Sequence, residues 1–286
     1  MLDRTRSPSI IAVAALMCVA CRGGAPVAAA PLLASAVTAL MVHDTLTIRS
    51  RVLGESRLVN VHVPASYRDA STSSQRRFPV LYMPDGGVDE DFPHVVRAVD
   101  SLTAAGAIRP VIVVGVPNTE RRRDLTGPTR VASDSAIAAH VGGSAAFRRF
   151  FADELIPAID ARYRTTAERA IIGESLAGLF IVETFLREPM LFDHYVAFDP
   201  SLWWNRGALV DSAAALLSNA PRSSNRRSLY VAASSDDIGG QSARLTRVLA
   251  TNAPAGLWWT VEPRTDLRHG TIFHALEVTG LVSALR

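Results

Sequence analysis

The sequence predicts an α/β fold of three layers: a mostly parallel central sheet with an antiparallel N-terminal hairpin, covered on both faces by helices. Three observations predict it. Residues 45–50 and 58–63 alternate apolar and polar side chains, as half-buried antiparallel strands do. Residues 79–83, 111–116, 170–172, 195–198, 229–232 and 257–261 are short, mostly apolar runs, the pattern of strands buried on both faces of a parallel sheet. Helix-period segments fall between those runs. The chain has 286 residues, 48% hydrophobic and 20% charged, so it can bury a sizeable core.

The chain begins with a leader-like segment. Arg4 and Arg6 precede an apolar run at 10–20, which is of secretory length and too short to span a bilayer comfortably. Cys21 follows, then Arg22-Gly23-Gly24. Small residues before a Cys are similar to a bacterial lipoprotein processing site, although Cys18 stands where Leu is usual. Cleavage near residues 28–30 is the alternative. The expected organisation is a signal peptide at 1–21, an Ala/Pro-rich tether at 22–42 and one domain at 43–286. It implies export to the periplasm of a bacterium, or membrane attachment through a lipidated Cys21. Both cysteines lie ahead of the domain, which excludes a disulfide, a thiol nucleophile or a Cys metal site within it.

The domain opens with the hairpin, turned at Gly54 and placed at a sheet edge. Helices are predicted at about 92–104, 176–187, 208–217, 241–251 and 270–285. Phe147, Phe151, Leu155 and Ile159 recur every four residues and mark another helix, with Pro157 kinking it or marking its last turns. Residues 67–77 read as a surface loop. Residues 121–143 form a long irregular stretch, of a kind often functional. All 30 basic residues are Arg, and the net charge is +3. No basic stripe interleaves with aromatics, which argues against nucleic acid as a partner.

The strongest local signal is Ile171-Ile172-Gly173-Glu174-Ser175-Leu176-Ala177-Gly178. An apolar strand runs into Gly-x-Ser-x-small-Gly and then into a helix. A nucleophilic serine needs this order, because a sharp strand-to-helix bend raises its hydroxyl above the sheet edge. Small residues on either side let strand and helix approach. Ala177 replaces the usual Gly, with Gly178 next. A hydroxyl is a poor nucleophile unless a base removes its proton. In α/β hydrolases the order along the chain is Ser, acid, His. His269, after the last strand and before Gly270, fits as the base. The acid should end a strand between them. Asp236 is favoured, followed by Asp237, with Asp199 and Asp266 as rivals; each could instead be a loop cap or an ion-pair partner. The Leu176 N–H is one expected oxyanion donor, and the loop Asp85-Gly86-Gly87 should supply the other. A helix N-cap is the plain alternative for Ser175, and a simple tight turn for the glycine loop.

These residues resemble the family named Putative esterase, which includes esterase D-like enzymes, enterochelin esterases and mycolyltransferases. The resemblance runs over about residues 45–285. Phe78-Pro79-Val80-Leu81-Tyr82-Met83-Pro84-Asp85-Gly86 is similar to its "PVLYLLDG" strand. By that similarity Gly87 supplies the second oxyanion donor. Asn118-Thr119 through Arg123-Asp124-Leu125-Thr126 is similar to a family loop near the active site, with Gly127 replacing the usual Pro. His269-Gly270-Thr271 is similar to the histidine motif. Pro200-Ser201-Leu202-Trp203-Trp204 resembles "SPSLWW", but Asp199 stands where Ser is usual. The resemblance implies that the acid is commonly a Glu after the penultimate strand.

Trp203 and Trp204 could wall a substrate pocket or anchor the core. Arg123 could hold a substrate or serve as a structural partner of Asp124. One of Trp258 and Trp259 should face the core. The expected activity is that of a serine carboxylic ester hydrolase acting through an acyl-enzyme, on siderophore or other small acyl esters. It needs no metal or organic cofactor, and its partner is a small-molecule ester. The alternatives are an acyltransferase using the same residues, or a catalytically inactive exported binding module.

Overall fold

The computed structural model describes residues 43–69, 75–221 and 226–286. The expected leader, the tether and Cys21 lie outside the described residues, as does part of the predicted loop at 67–77. No described helix is long and apolar enough to cross a membrane.

One sheet of eight strands runs through the domain in the order β1-β2-β4-β3-β5-β6-β7-β8. The strands are β1 (Asp44–Arg49), β2 (Ser56–His62), β3 (Phe78–Pro84), β4 (Ile112–Val116), β5 (Thr165–Glu174), β6 (His194–Phe198), β7 (Arg227–Ser234) and β8 (Leu257–Arg264). β1 and β2 form the expected antiparallel edge hairpin, and β2 also runs antiparallel to β4. The remaining pairs are parallel. Every residue of β3, β4 and β7 is buried, which is why β3, β4 and the middle of β7 read as apolar runs. Edge strand β1 alternates in exposure, as its sequence does.

The helices are α1 (Ala65–Arg68), α2 (Phe92–Ala104), α3 (Arg121–Leu125), α4 (Ala132–Ser135), α5 (Ser144–Phe150), α6 (Ile156–Arg162), α7 (Leu176–Arg187), α8 (Trp204–Ser218), α9 (Gln241–Asn252) and α10 (His269–Leu285). The apolar side chains of α2 and α10 fill one core layer with Leu81, Val113, Ile172 and Phe198. Those of α5 to α9 fill the other, against Val80, Val114, Ile171 and Tyr195. Phe147, Phe151, Leu155 and Ile159 are all buried there, each contributing roughly 1.5–3 kcal/mol. Helix α7 is buried on every side from Leu176 to Leu186, which its apolar composition demands.

Two local departures have physical causes. Residues Phe151–Leu155 form a π turn joining α5 to α6, just ahead of Pro157. Pro157 has no N–H for the carbonyl four residues back, and its ring crowds that carbonyl; the wider turn absorbs both. Asn205, Arg206 and Gly207 take left-handed backbone angles inside the first turn of α8. The regular helix therefore starts close to residue 208, where its sequence periodicity begins. The stretch 121–143 contains α3 and α4 and is pinned down. Trp204 Nε1–H donates to the Gly127 carbonyl at 2.8 Å, and Asn205 N–H donates to the Asp134 carboxylate at 2.8 Å.

The rim at the C-terminal ends of β3 and β4 is closed by backbone contact. A Cβ on Gly86 would lie 2.2 Å from the Val116 nitrogen and 2.3 Å from the Gly115 Cα. Only glycine fits there. Gly86→Ala should therefore lower the unfolding free energy by about 2–3 kcal/mol, seen as a lower urea midpoint at unchanged slope. A midpoint equal to that of the parent protein would contradict this packing.

Candidate active site

Ser175 occupies the bend between β5 and α7, with φ 62° and ψ −119°. Those angles are strained for a side chain larger than glycine, and the surrounding backbone holds them. Ser175 N–H donates to the Phe198 carbonyl at 3.0 Å, and the Ser175 carbonyl accepts from Ser201 N–H at 3.0 Å. A Cβ on Gly173 would meet the Ala177 methyl at 2.7 Å, so the bare Gly173 is what makes Ala acceptable at 177. α7 starts at Leu176, whose N–H therefore has no acceptor within the helix. The helix dipole adds partial positive charge there.

Parallel register carries the neighbouring strand ends to the same height. Glu174 pairs with Phe198, and Phe198 with Ala232. Asp199 follows Phe198 directly, at φ 40°. Its N–H donates to the Ala232 carbonyl at 2.7 Å. Its carboxylate is buried and accepts from Ser234 N–H at 2.8 Å, from the Ser234 hydroxyl at 2.8 Å and from His269 Nδ1 at 2.6 Å. Burial works against its charge, but the bonds from His269 and Ser234 outweigh that and hold the carboxyl below its ordinary value. In return, the Asp199 bond chiefly lifts the His269 imidazole above its ordinary value, against the effect of burial.

The favoured acid, Asp236, is corrected by this geometry. β7 extends two residues beyond Ala232, so Asp236 arrives over the loop that precedes α10 rather than under the imidazole. It accepts from the His269 backbone N–H at 2.9 Å and from Arg268 at 2.8 Å. Asp236 thus fixes the start of α10, and Asp199 holds the ring. Asp237 accepts from Ser242 N–H at 3.1 Å and caps the start of α9. Asp266 is exposed and paired with Arg264.

Ser175, Ser201, His269, Trp203, Asp237 and Ile238 share the lining of one cleft of about 260 Å³. Nδ1 of His269 is taken by Asp199, which leaves Nε2 as the nitrogen available to Ser175. Ser175 and His269 are not hydrogen-bonded to each other; the Ser175 hydroxyl lies 3.4 Å from that of Ser201. Such bonds are commonly long before substrate binds and tighten in the reactive complex.

Three further expectations are corrected. Gly87 does not present a free donor: its N–H donates to Glu90 Oε2 at 2.7 Å, because Glu90 folds back over the loop and also accepts from Asn118. Arg123 is committed to Glu55, Glu120 and Asp124, and Asp124 in turn grips the fully buried Arg57. That network ties the loop at 118–126 to β2 and leaves Arg123 no role at the cleft. Trp204 is buried on Gly127, so Trp203 alone of the pair walls the cleft. Trp258 is exposed, and Trp259 packs against the core.

Sequence reasoning passed over Glu174 and Ser201. Glu174 Oε1 is buried without a hydrogen-bond partner among the described residues. Burial first, then the charges of Asp91 and Asp199, push the carboxyl up to about 7, while His269 and Arg121 oppose this. Ser201 was contained in the quoted Pro200–Trp204 segment, and its polarity inside an apolar run was the available signal.

The family profile described as "Putative esterase" matches residues 50–260. The chain belongs to this family. Among its sequence relatives, the siderophore triacetylfusarinine C esterase of Aspergillus fumigatus is 31% identical over 176 residues, covering 57% of this chain and 58% of that protein. The ferri-bacillibactin esterase BesA of Bacillus subtilis is 30% identical over 143 residues, covering 45% and 50%. The chain thus spans about half the length of these relatives. Among solved structures, an IroE-like serine hydrolase from Shewanella oneidensis superposes with a TM-score of 0.74 at 24% identity, covering 85% of this chain and 79% of that one. The siderophore hydrolase EstB from Aspergillus nidulans gives 0.69 at 21% identity, covering 87% and 96%. These likenesses establish the α/β-hydrolase fold of this family member.

Asp199→Asn should lower kcat by roughly 10³-fold or more, whereas Asp236→Asn should cost less than about tenfold. The base must be neutral, so activity falls as pH drops through the His269 pKa. With that pKa raised, the acid limb of kcat/KM should lie above the ordinary imidazole value of about 6.5. In Asp199→Asn the residual activity should show the limb moved to lower pH. Equal losses in the two variants, with no movement of the limb, would reject Asp199 as the partner of the ring.

Proposed function

We propose that this family member is a serine carboxylic ester hydrolase that cleaves siderophore-like esters through an acyl-enzyme. The single observation that carries the reading is one cleft holding a hydroxyl on a strained strand-to-helix bend beside an imidazole whose far nitrogen is fixed by a buried carboxylate. His269 Nε2 takes the Ser175 proton as Oγ adds to the ester carbonyl. The Leu176 N–H at the start of α7 stabilises the oxyanion. Asp199 stabilises the imidazolium. Collapse expels the alcohol, which leaves with the proton from His269. Water then repeats the sequence, releasing the carboxylic acid and restoring Ser175.

The substrate class draws support from relatives named as siderophore esterases in a bacterium and in fungi. The cleft fits this class. At about 260 Å³ it has room for one ester arm while the bulk of a chelate stays outside, and Trp203 and the exposed Ile238 give its lining apolar area. Export belongs to the same proposal. It rests on the basic start and the apolar run at 10–20, with Cys21 as the candidate lipid attachment point.

A fluorophosphonate probe should label the wild-type protein and fail to label Ser175→Ala. Hydrolysis of a triscatecholate or hydroxamate siderophore ester, followed by chromatography of the freed acid, should fall by roughly 10³-fold or more in the same variant. Labelling that persists in Ser175→Ala would place the nucleophile elsewhere. Turnover of p-nitrophenyl acetate with no turnover of any siderophore ester would reject the substrate class while sparing the mechanism.

A further inference from the structure

The helices that follow the oxyanion loop and carry the base are brought together by a second cluster. His94 lies in the first turn of α2. His274 and Glu277 lie one turn apart on the same face of α10. Each offers a ligand atom, and these atoms all lie within 4.8 Å of one another. His94 Nδ1 is 2.6 Å from Glu277 Oε2, and the His94 and His274 rings stand 4.3 Å apart. The far nitrogen of His94, Nε2, faces the Asp91 carboxylate at 3.4 Å. At 2.6 Å His94 Nδ1–H donates to the Glu277 carboxylate, so a metal would take that proton's place; the Asp91 carboxylate beside Nε2 then keeps a proton there, the arrangement that metal-ligating histidines adopt. His94 is also locked by Phe273, edge-on at 4.8 Å between ring centres.

We propose that His94, His274 and Glu277 form a binding site for a divalent transition metal of the zinc class, which staples α2 to α10. Two imidazoles and one carboxylate are a zinc donor set, poorly suited to calcium or magnesium, which take oxygen ligands. Bonds of about 2.0–2.2 Å to a tetrahedral ion set its ligands about 3.4 Å apart, so small side-chain rotations close the set. The open groove beside it, about 500 Å³, leaves room for a water as the fourth ligand. Arg97 is the cation lining that groove, and the carboxylates of Asp91 and Glu277 outweigh it. α2 follows the loop bearing Gly87 and Glu90, and α10 begins at His269. The staple therefore braces both sides of the catalytic rim without touching the reacting atoms.

The test takes the purified full chain, strips it with EDTA, and measures zinc by equilibrium dialysis and Tm by calorimetry. Wild type should bind one zinc per chain and gain about 5 °C or more in Tm at saturating zinc, with magnesium and calcium giving no gain. His274 is exposed, so His274→Ala should fold normally; it should weaken zinc binding by about tenfold or more and abolish the gain. Asp91→Asn should weaken binding about 10–100-fold through the His94 ring. Bound cobalt should show tetrahedral visible absorption in wild type and none in Glu277→Gln. Zinc binding unchanged in His274→Ala, or no zinc bound by wild type at micromolar metal, would overturn the proposal.

Discussion

The whole site depends on one step-down in backbone pairing across the centre of the sheet. Ser175 N–H is held by the Phe198 carbonyl, and Asp199 N–H by the Ala232 carbonyl. Each strand end leans on the next, so three consecutive parallel strands deliver a hydroxyl, a carboxylate and the Ser234 donors to the same rim. Ser175 and Asp199 both sit at positive φ, as does Asp85 at the end of β3. Three strained residues on one edge are tolerated because hydrogen bonds determine each of them several times over. The imidazole then comes from outside the sheet, at the first residue of α10, and Asp199 and Asp236 hold it by its ring and its backbone respectively.

That division of labour explains why two carboxylates converge on one histidine. The buried Asp199 sets tautomer and charge; the exposed Asp236 sets where the helix begins. Glu174 adds a third carboxyl in the same field, and its partly suppressed ionisation moderates the negative charge around the ring. The cleft thus gathers acids whose environments separate their roles, as sites for general base chemistry require. Away from the cleft, Arg57 and Arg123 with their carboxylates anchor the 118–126 loop, and Trp204 anchors Gly127. These contacts make rigid a stretch that the length of irregular sequence alone presented as a functional loop.

Hydrophobic patterning was enough to find all eight strands, because most are buried on both faces and read as plain apolar runs. β5 starts five residues earlier than its apolar run, since four of the residues at 165–169, all but Ala167, carry polar side chains at the less buried end of the strand. Ser175 and His269 were readable from the local motif and from chain order. The choice among acids was not readable, because it depends on how Phe198 aligns with Ala232 across strands, and no local pattern records a register between distant segments. The same holds for His94 beside Glu277, partners that lie 183 residues apart. Asp199 did carry one local clue: an acid standing where the family has serine.

The central claim is that the Asp199 carboxylate holds His269 so that its Nε2 can reach the Ser175 hydroxyl. The most direct measurement is a crystal structure of the protein phosphonylated by a transition-state-like inhibitor. The account predicts phosphorus bonded to Ser175 Oγ, His269 Nε2 within hydrogen-bond distance of an inhibitor oxygen, and Nδ1 still on Asp199 near 2.6 Å. An adduct on another residue, or a His269 ring turned to Asp236 with Asp199 left on Ser234 alone, would contradict it.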